Sequence, residues 1–157
     1  MAMVDVLKEA KEAQWLQCLI LTRMKAVFDG DPPNYARVRH LHPLAELMIG
    51  LDGYVPVVQA KVIDILSYII CDLELIPAQE LGSITLLLQD GSLSSPTRRL
   101  LIETLTGWIS ERGEVLVAAL RDVSLLDSLC HLLTHLTANA TEDRLGEAGF
   151  IHHTDPW

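Results

Sequence analysis

The chain has few aromatic residues and few cysteines. Aromatics make up 5% of its 157 residues and hydrophobic residues as a whole 50%, so aliphatic side chains must fill any core. The three cysteines are Cys18, Cys71 and Cys130, and no two of them have a spacing typical of metal ligands. Because their odd number forms no disulfide framework, we expect reduced thiols and a cytoplasmic or nuclear location.

Basic residues are also scarce. Twelve Lys and Arg stand against 21 Asp and Glu, which gives a formal charge of -9 at pH 7. A domain that binds duplex nucleic acid needs clusters of cations to displace counterions from phosphate. The densest basic spots, residues 37–39 and Arg98-Arg99, are too short to form such a stripe. The sequence therefore argues against DNA, RNA and anionic membranes as partners.

Long apolar runs are absent as well. The run from Ile65 to Cys71 is far shorter than the roughly 20 residues that a membrane-spanning helix needs. The first 13 residues are rich in Lys and Glu, unlike a signal peptide. The length of the chain suits one domain with a core of its own. We expect one intracellular helical domain over residues 1–140 and a polar, flexible tail over residues 141–157.

The sequence does contain helical periodicity, divided by glycine and proline. Apolar residues recur at three- and four-residue spacing, and no segment alternates with a period of two. Asp-Gly pairs mark turns, whereas prolines and the serines of the Ser94-Ser95-Pro96 segment mark helix starts. The pattern predicts helices over residues 3–28, 34–41, 43–51, 56–73, 77–89, 95–110, 114–122 and 124–137.

An internal repeat relates two of these helices. A displacement of about 40 residues aligns Pro56 with Pro96, Gln59 with Arg99, Val62 with Ile102, Ile65 with Leu105 and Tyr68 with Trp108. The segment Pro56–Val62 resembles the opening of the second helix of a HEAT repeat, and a period near 40 residues is typical of armadillo and HEAT arrays. The resemblance, which covers Pro43 to Leu136, implies a right-handed stack of antiparallel helices. A compact helical bundle is the alternative all-α fold.

Motifs that carry chemistry are missing or incomplete. His131 and His135 stand four apart on a predicted helix, as two zinc ligands do in the zincin motif, but no glutamate base lies between them. The chain has neither a phosphate-binding loop nor a serine nucleophile elbow. We therefore expect no enzymatic activity, no cofactor and no metal. A metal site at His131 and His135 is the less favoured alternative.

The functional hypothesis therefore rests on surface residues. Helical arrays bind partners on an extended concave face. The residues expected to contact a partner peptide or helix are Lys61, Asp64, Tyr68, Arg98, Arg99, Glu103, Trp108, His131 and His135, with Gln59 and Ser67 on the same polar surface. The alternative for Tyr68 and Trp108 is a place in the core. The expected function is a non-catalytic adaptor or scaffold module within a larger complex.

Two further interpretations concern partners. The segment Gly107–Gly113 resembles the tryptophan-containing segment of the Bcl-2 family, whose groove binds an amphipathic helix, although that family's Asn-Trp-Gly-Arg segment has no counterpart here. In the first helix, Trp15, Cys18 and Leu21 extend the apolar surface beyond one stripe. Such a helix is buried on several sides or meets a second copy in an isologous homodimer.

Overall fold

In a computed structural model of the chain, the structure describes residues 14–41, 43–130 and 133–134. These residues form helices and turns, with no strand among them. The all-α prediction is therefore confirmed for this part of the chain. None of its helices is both long and apolar enough to cross a membrane. The predicted tail and residues 1–13 lie outside the described residues, so the predicted domain boundary stays a prediction.

The helices follow one another with short connections. Their bounds are α1 (Gln14–Gly30), α2 (Pro33–Val38), α3 (Pro43–Ile49), α4 (Pro56–Ser67), α5 (Ala78–Gln89), α6 (Ser95–Arg112) and α7 (Glu114–Asp122). Short 3-10 turns follow α2 (Arg39–Leu41) and α3 (Leu51–Gly53), a π-helical turn (Tyr68–Asp72) extends α4, and residues 125–130 are helical. Within the described residues, the apolar periodicity and the prolines predicted the positions of these helices closely.

Both ends of α6 show how local sequence sets a helix boundary. The cap is Ser94, since its hydroxyl accepts a hydrogen bond from the backbone N–H of Thr97 at 3.4 Å, and Ser95 is already helical. At the other end Gly113 has a φ of 58°, a left-handed conformation that glycine adopts without steric cost. The helix therefore ends at Arg112, two residues beyond the predicted end at Ser110.

Two rows of helices enclose the core. In one row α1 packs against α4, whose π-helical extension packs against α6; in the other row α3 packs against α5. Leucines and isoleucines fill the space between the rows, among them the fully buried Leu47, Leu66 and Ile84. This arrangement fits a compact helical bundle, the alternative all-α fold drawn from the sequence.

Polar contacts between helices join residues 38 to 42 positions apart. The Gln59 side-chain amide, 6% exposed, donates to the Thr97 hydroxyl and to the Leu51 carbonyl, each at 3.0 Å. The same separation recurs in Lys25 with Asp64, Thr85 with Val123, Gln89 with Ser128, Ser67 with Trp108 and Asp52 with Ser94. These separations match the period of about 40 residues in the sequence.

The Asp52 carboxylate ties the loop before α4 to the start of α6. It accepts hydrogen bonds from the hydroxyl and the backbone N–H of Ser94. Hydrogen bonds from the Ser94 and Thr97 side chains hold the pKa of Asp52 below its ordinary value. A carboxyl group with a lowered pKa stabilises the fold above its unfolded-state pKa, and this stabilisation is lost as the pH falls through the folded-state pKa.

Asp52→Asn is expected to lower the free energy of unfolding modestly at pH 7 and to flatten its decline below about pH 4. The effect is modest because Asp52 is exposed and solvent screens its charge. Urea denaturation at a series of pH values measures it. Asp122→Asn makes the same chemical change at another exposed carboxylate and is the control. Equal dependence of stability on pH in both variants would contradict the assignment of this pH-dependent stabilisation to Asp52.

Candidate functional site

A shallow groove of about 200 Å³ lies between α1 and α4. Its polar lining comes from Thr22, Lys25 and Asp29 of α1 and from Lys61 and Asp64 of α4. Residues three, four or seven positions apart share one face of a helix, so each helix presents its set toward the other. Two predicted partner-binding residues, Lys61 and Asp64, are thus brought together, and the structure adds a second wall that the prediction did not contain.

Lys25 organises the charges of this groove. Its ammonium lies 3.1 Å from Asp64 Oδ1 and 5.7 Å from the centroid of the Tyr68 ring. Burial, followed by the charge of Asp29, raises the pKa of the Tyr68 hydroxyl, which therefore stays a hydrogen-bond donor at neutral pH. The Lys25 and Asp64 side chains are 35% and 47% exposed, so a partner can reach them. The groove presents fixed charges of both signs, with one phenol beside them.

The predicted residues of α6 divide between surface and structure. Arg99 Nε donates to Glu103 Oε1 at 2.7 Å, and the two side chains are 80% and 62% exposed. Arg98 is half-buried, and its guanidinium donates to the Asp90 carbonyl at 3.2 Å, which fastens the turn before α6. Arg99 and Glu103 therefore offer a second charged surface, separate from the α1–α4 groove, while Arg98 supports a loop.

Two residues expected on the polar surface are buried instead. Trp108 is 3% exposed, and its indole N–H donates to the Ser67 hydroxyl at 2.8 Å, so the core alternative holds for this residue. Gln59 is buried beneath α6, as described above. The Trp108 indole N–H and the Gln59 amide each donate to a side chain of a neighbouring helix. Each buried polar group thereby has the hydrogen-bond partner that burial requires. Neither residue is available to a partner protein at the surface.

The α1 wall of the groove was missed by reasoning from the sequence. Lys25 and Asp29 are four residues apart on one helix, a pattern that also suits an ordinary solvated face. One signal was available: Asp64 lies 39 residues after Lys25, close to the repeat period found for Pro56 and Pro96. Extending the repeat toward the amino terminus would have placed Lys25 and Asp64 on neighbouring helices.

No family model, curated protein or solved structure matches this chain. The role of the groove is therefore inferred from its own geometry. Its described side chains are two ammonium groups, two carboxylates, a threonine and a nearby phenol. Such groups recognise the charges and hydrogen-bonding groups of another macromolecule.

A second cavity, of about 330 Å³, lies between α2 and the start of α5. Tyr35 and Glu80, both 2% exposed, line it, and Arg39 and His40 stand on the same wall. Burial, followed by the charge of Glu80, raises the pKa of Tyr35, which is therefore neutral at physiological pH. No motif in the sequence had indicated this cavity, since its residues come from two segments about 40 positions apart.

The described part of the chain gives little support to a metal site or to a reactive thiol. Across residues 14–41, 43–130 and 133–134, no group of three His, Cys, Asp or Glu side chains could hold a metal ion. Burial, followed by a hydrogen bond with Glu111, raises the pKa of the Cys71 thiol to about 11, so it is protonated at neutral pH. His131 and His135 lie outside the described residues, and their assignments to partner binding or to a metal stay predictions.

Proposed function

We propose that this chain is a non-catalytic protein–protein interaction module with an armadillo/HEAT-like helical stack. In this proposal the α1–α4 groove and the neighbouring α6 surface receive a peptide or helix of a partner protein. The observation that carries it is the series of polar contacts between residues 38 to 42 positions apart. In a repeat array each unit contacts its neighbour at equivalent positions, so contact separations cluster around the repeat length.

The clustering occurs in both rows of helices. In the first row Lys25–Asp64 joins α1 to α4, and Gln59–Thr97 joins α4 to α6. In the second row Thr85 donates to the Val123 carbonyl and Gln89 donates to Ser128, so α5 is joined to the end of α7 and the segment after it. A repeat of two helices and about 40 residues produces this pattern, whereas a bundle without repeats has no reason to favour one separation.

The exposed charges of the groove support a binding role more than a stabilising one. An ion pair as exposed as Lys25–Asp64 contributes about 0–1 kcal/mol to a fold, and less at high salt. Charges at an interface, in contrast, set register and exclude wrong partners. The free thiols Cys18, Cys71 and Cys130 suit a cytoplasmic or nuclear setting for this role.

The test exchanges the charges of the groove without removing them. Lys25→Asp combined with Asp64→Lys keeps the net charge and allows the ion pair to form in reverse. We expect affinity capture from cell extract, quantified by mass spectrometry, to recover a partner with the wild type. Recovery should fall about tenfold or more with the exchanged variant, since reversed charges meet like charges of the partner.

Two further exchanges locate the surface. Arg37→Asp with Asp31→Arg reverses an exposed pair that joins α2 to the connection before it, and is the matched control, with recovery expected at the wild-type level. Arg99→Glu with Glu103→Arg reverses the pair on α6 and reports on that surface alone. Loss with the α6 exchange only would reject the groove as the site. Equal recovery with every variant would reject both surfaces, provided that circular dichroism shows each variant folded.

A further inference from the structure

One row of α1 side chains is exposed. Trp15, Leu19, Arg23 and Val27 follow each other at four-residue spacing; Trp15 is 71%, Leu19 46% and Val27 51% exposed, and Arg23 is exposed as well. The buried side of the helix carries Gln17, Leu21, Met24 and Phe28 instead. Three large apolar side chains in one exposed row are unusual on a helix that already packs against α2 and α4. The row uses different residues of α1 from those that line the groove.

We propose that Trp15, Leu19 and Arg23 of this row form the contact between two copies of the chain, with the α1 helices antiparallel across a two-fold axis at Leu19. In this register Leu19 meets the second copy's Leu19 on the axis. Each Arg23 guanidinium meets the indole of the second copy's Trp15, because both residues lie four positions from the axis. Tryptophan is the best ring for a cation–π contact, and arginine is the cation found there more often. An isologous contact forms both pairs at once.

Electrostatics select this register over its neighbour. With a rise of 1.5 Å per residue, an axis at Leu19 separates the two Arg23 positions by about 12 Å along the helices. An axis between Leu19 and Arg23 would bring them within about 6 Å, inside the screening length of about 8 Å at physiological salt. The Leu19 register therefore avoids the repulsion and provides each arginine with an aromatic face.

The chemistry of α6 favours an α1–α1 contact over a head-to-tail contact between α1 and α6. α6, at the far side of the same row of helices, contributes no large exposed hydrophobic residue. Its surface carries the Arg99–Glu103 ion pair. Packing Trp15 against that surface would desolvate charges without providing partners for them. Of the other helices, α3, α4, α5 and α7 each carry one exposed large apolar side chain, Ile49, Val57, Leu86 and Val115 respectively, so the row on a second copy's α1 is the better apolar match.

The mass of the full chain in solution tests the proposal. Sedimentation equilibrium of the wild type, over a wide range of concentrations, should show association to twice the 17.4 kDa of the chain. Leu19→Arg places two additional cations on the axis and should leave a folded monomer. Val57→Arg is the matched control, since Val57 is 44% exposed on α4 and outside the row, and it should associate like the wild type.

An exchange of the residues at positions 15 and 23 tests the register. Trp15→Arg alone should weaken the dimer at least tenfold, because it pairs two arginines at each end of the contact. Trp15→Arg combined with Arg23→Trp should restore association, since the two positions face each other across the axis. This swap also serves if Leu19→Arg fails to fold by circular dichroism. Failure of the swap to restore association would overturn the antiparallel register.

Other occupants of the row give distinct results. A wild type that is monomeric at every concentration overturns the proposal. This outcome includes a monomer in which another segment of the same chain covers the row and shields Trp15 from a collisional quencher. A dimer that persists in Leu19→Arg, or one that Val57→Arg disrupts, overturns it as well because the contact then lies elsewhere. Association is measured without any partner protein, so its failure is distinguishable from failure of the groove hypothesis.

Discussion

Replacing Leu66 with alanine is expected to lower the free energy of unfolding by about 2–5 kcal/mol. Leu66 is fully buried on α4, where the two rows of helices meet. The substitution removes apolar contacts and leaves a cavity that rigid helices on both sides fill only in part. Urea denaturation followed by circular dichroism at 222 nm measures the loss, and an unchanged denaturant slope would show that the folded state keeps its compactness.

Leu86→Ala is the matched control for this prediction. Leu86 lies on α5, a helix of the same length as α4, but its side chain is 64% exposed. The substitution should change the free energy of unfolding by no more than about 0.5 kcal/mol, as surface substitutions usually do. Comparable losses for Leu66→Ala and Leu86→Ala would contradict the packing of the rows described above.

Trp108→Ala is expected to destabilise the chain by about 3–5 kcal/mol. The indole is almost fully buried between α6 and the end of α4, and its N–H donates to the Ser67 hydroxyl. Alanine removes both the packing and the hydrogen bond. Trp108→Phe keeps much of the packing and loses the hydrogen bond, so we expect a smaller loss of about 1–2 kcal/mol. Chemical denaturation of the two variants measures both losses of stability and shows which is larger.

This prediction also distinguishes the two roles that the sequence allowed for Trp108. A residue of the core lowers stability when it is truncated, whatever partner is present. A residue of the binding surface would leave stability close to that of the wild type and reduce partner recovery instead. A stable Trp108→Ala variant that no longer captures the partner would return Trp108 to the interface and contradict its buried position.

The helices were predictable because their signals are local. Apolar spacing identifies each helix, and Pro33, Pro56 and Pro96 lie in the first turns of α2, α4 and α6, where their missing N–H groups cost nothing. The end of α6 was placed two residues early, at Ser110, so Glu111 and Arg112 were left out of the helix. Both are good helix formers, and the chain leaves the helix only at Gly113, where the backbone turns left-handed.

The candidate site was less predictable because it is assembled between helices. Lys61 and Asp64 were identified from the polar face of one helix, whereas Lys25 reaches the same groove from a helix 39 residues earlier. Tyr68 and Trp108 are 40 residues apart and were aligned in the sequence, yet only Trp108 is buried. The difference depends on the helices packed around each ring, which no local pattern encodes. Gln59 was misplaced because hydropathy treats every amide as solvated, even when two acceptors await it in the interior.

The buried Gln59 amide has a consequence for how the chain opens. Its two acceptors belong to different parts of the fold, the Leu51 carbonyl before α4 and the Thr97 hydroxyl in α6. If α6 separated from α4 by itself, the amide would lose its Thr97 acceptor, and water would have to replace it. Separation of α6 alone therefore costs a hydrogen bond that the intact fold provides between α4 and α6. The turn before α4, α4 itself and the start of α6 are thereby held together, which opposes their separate opening.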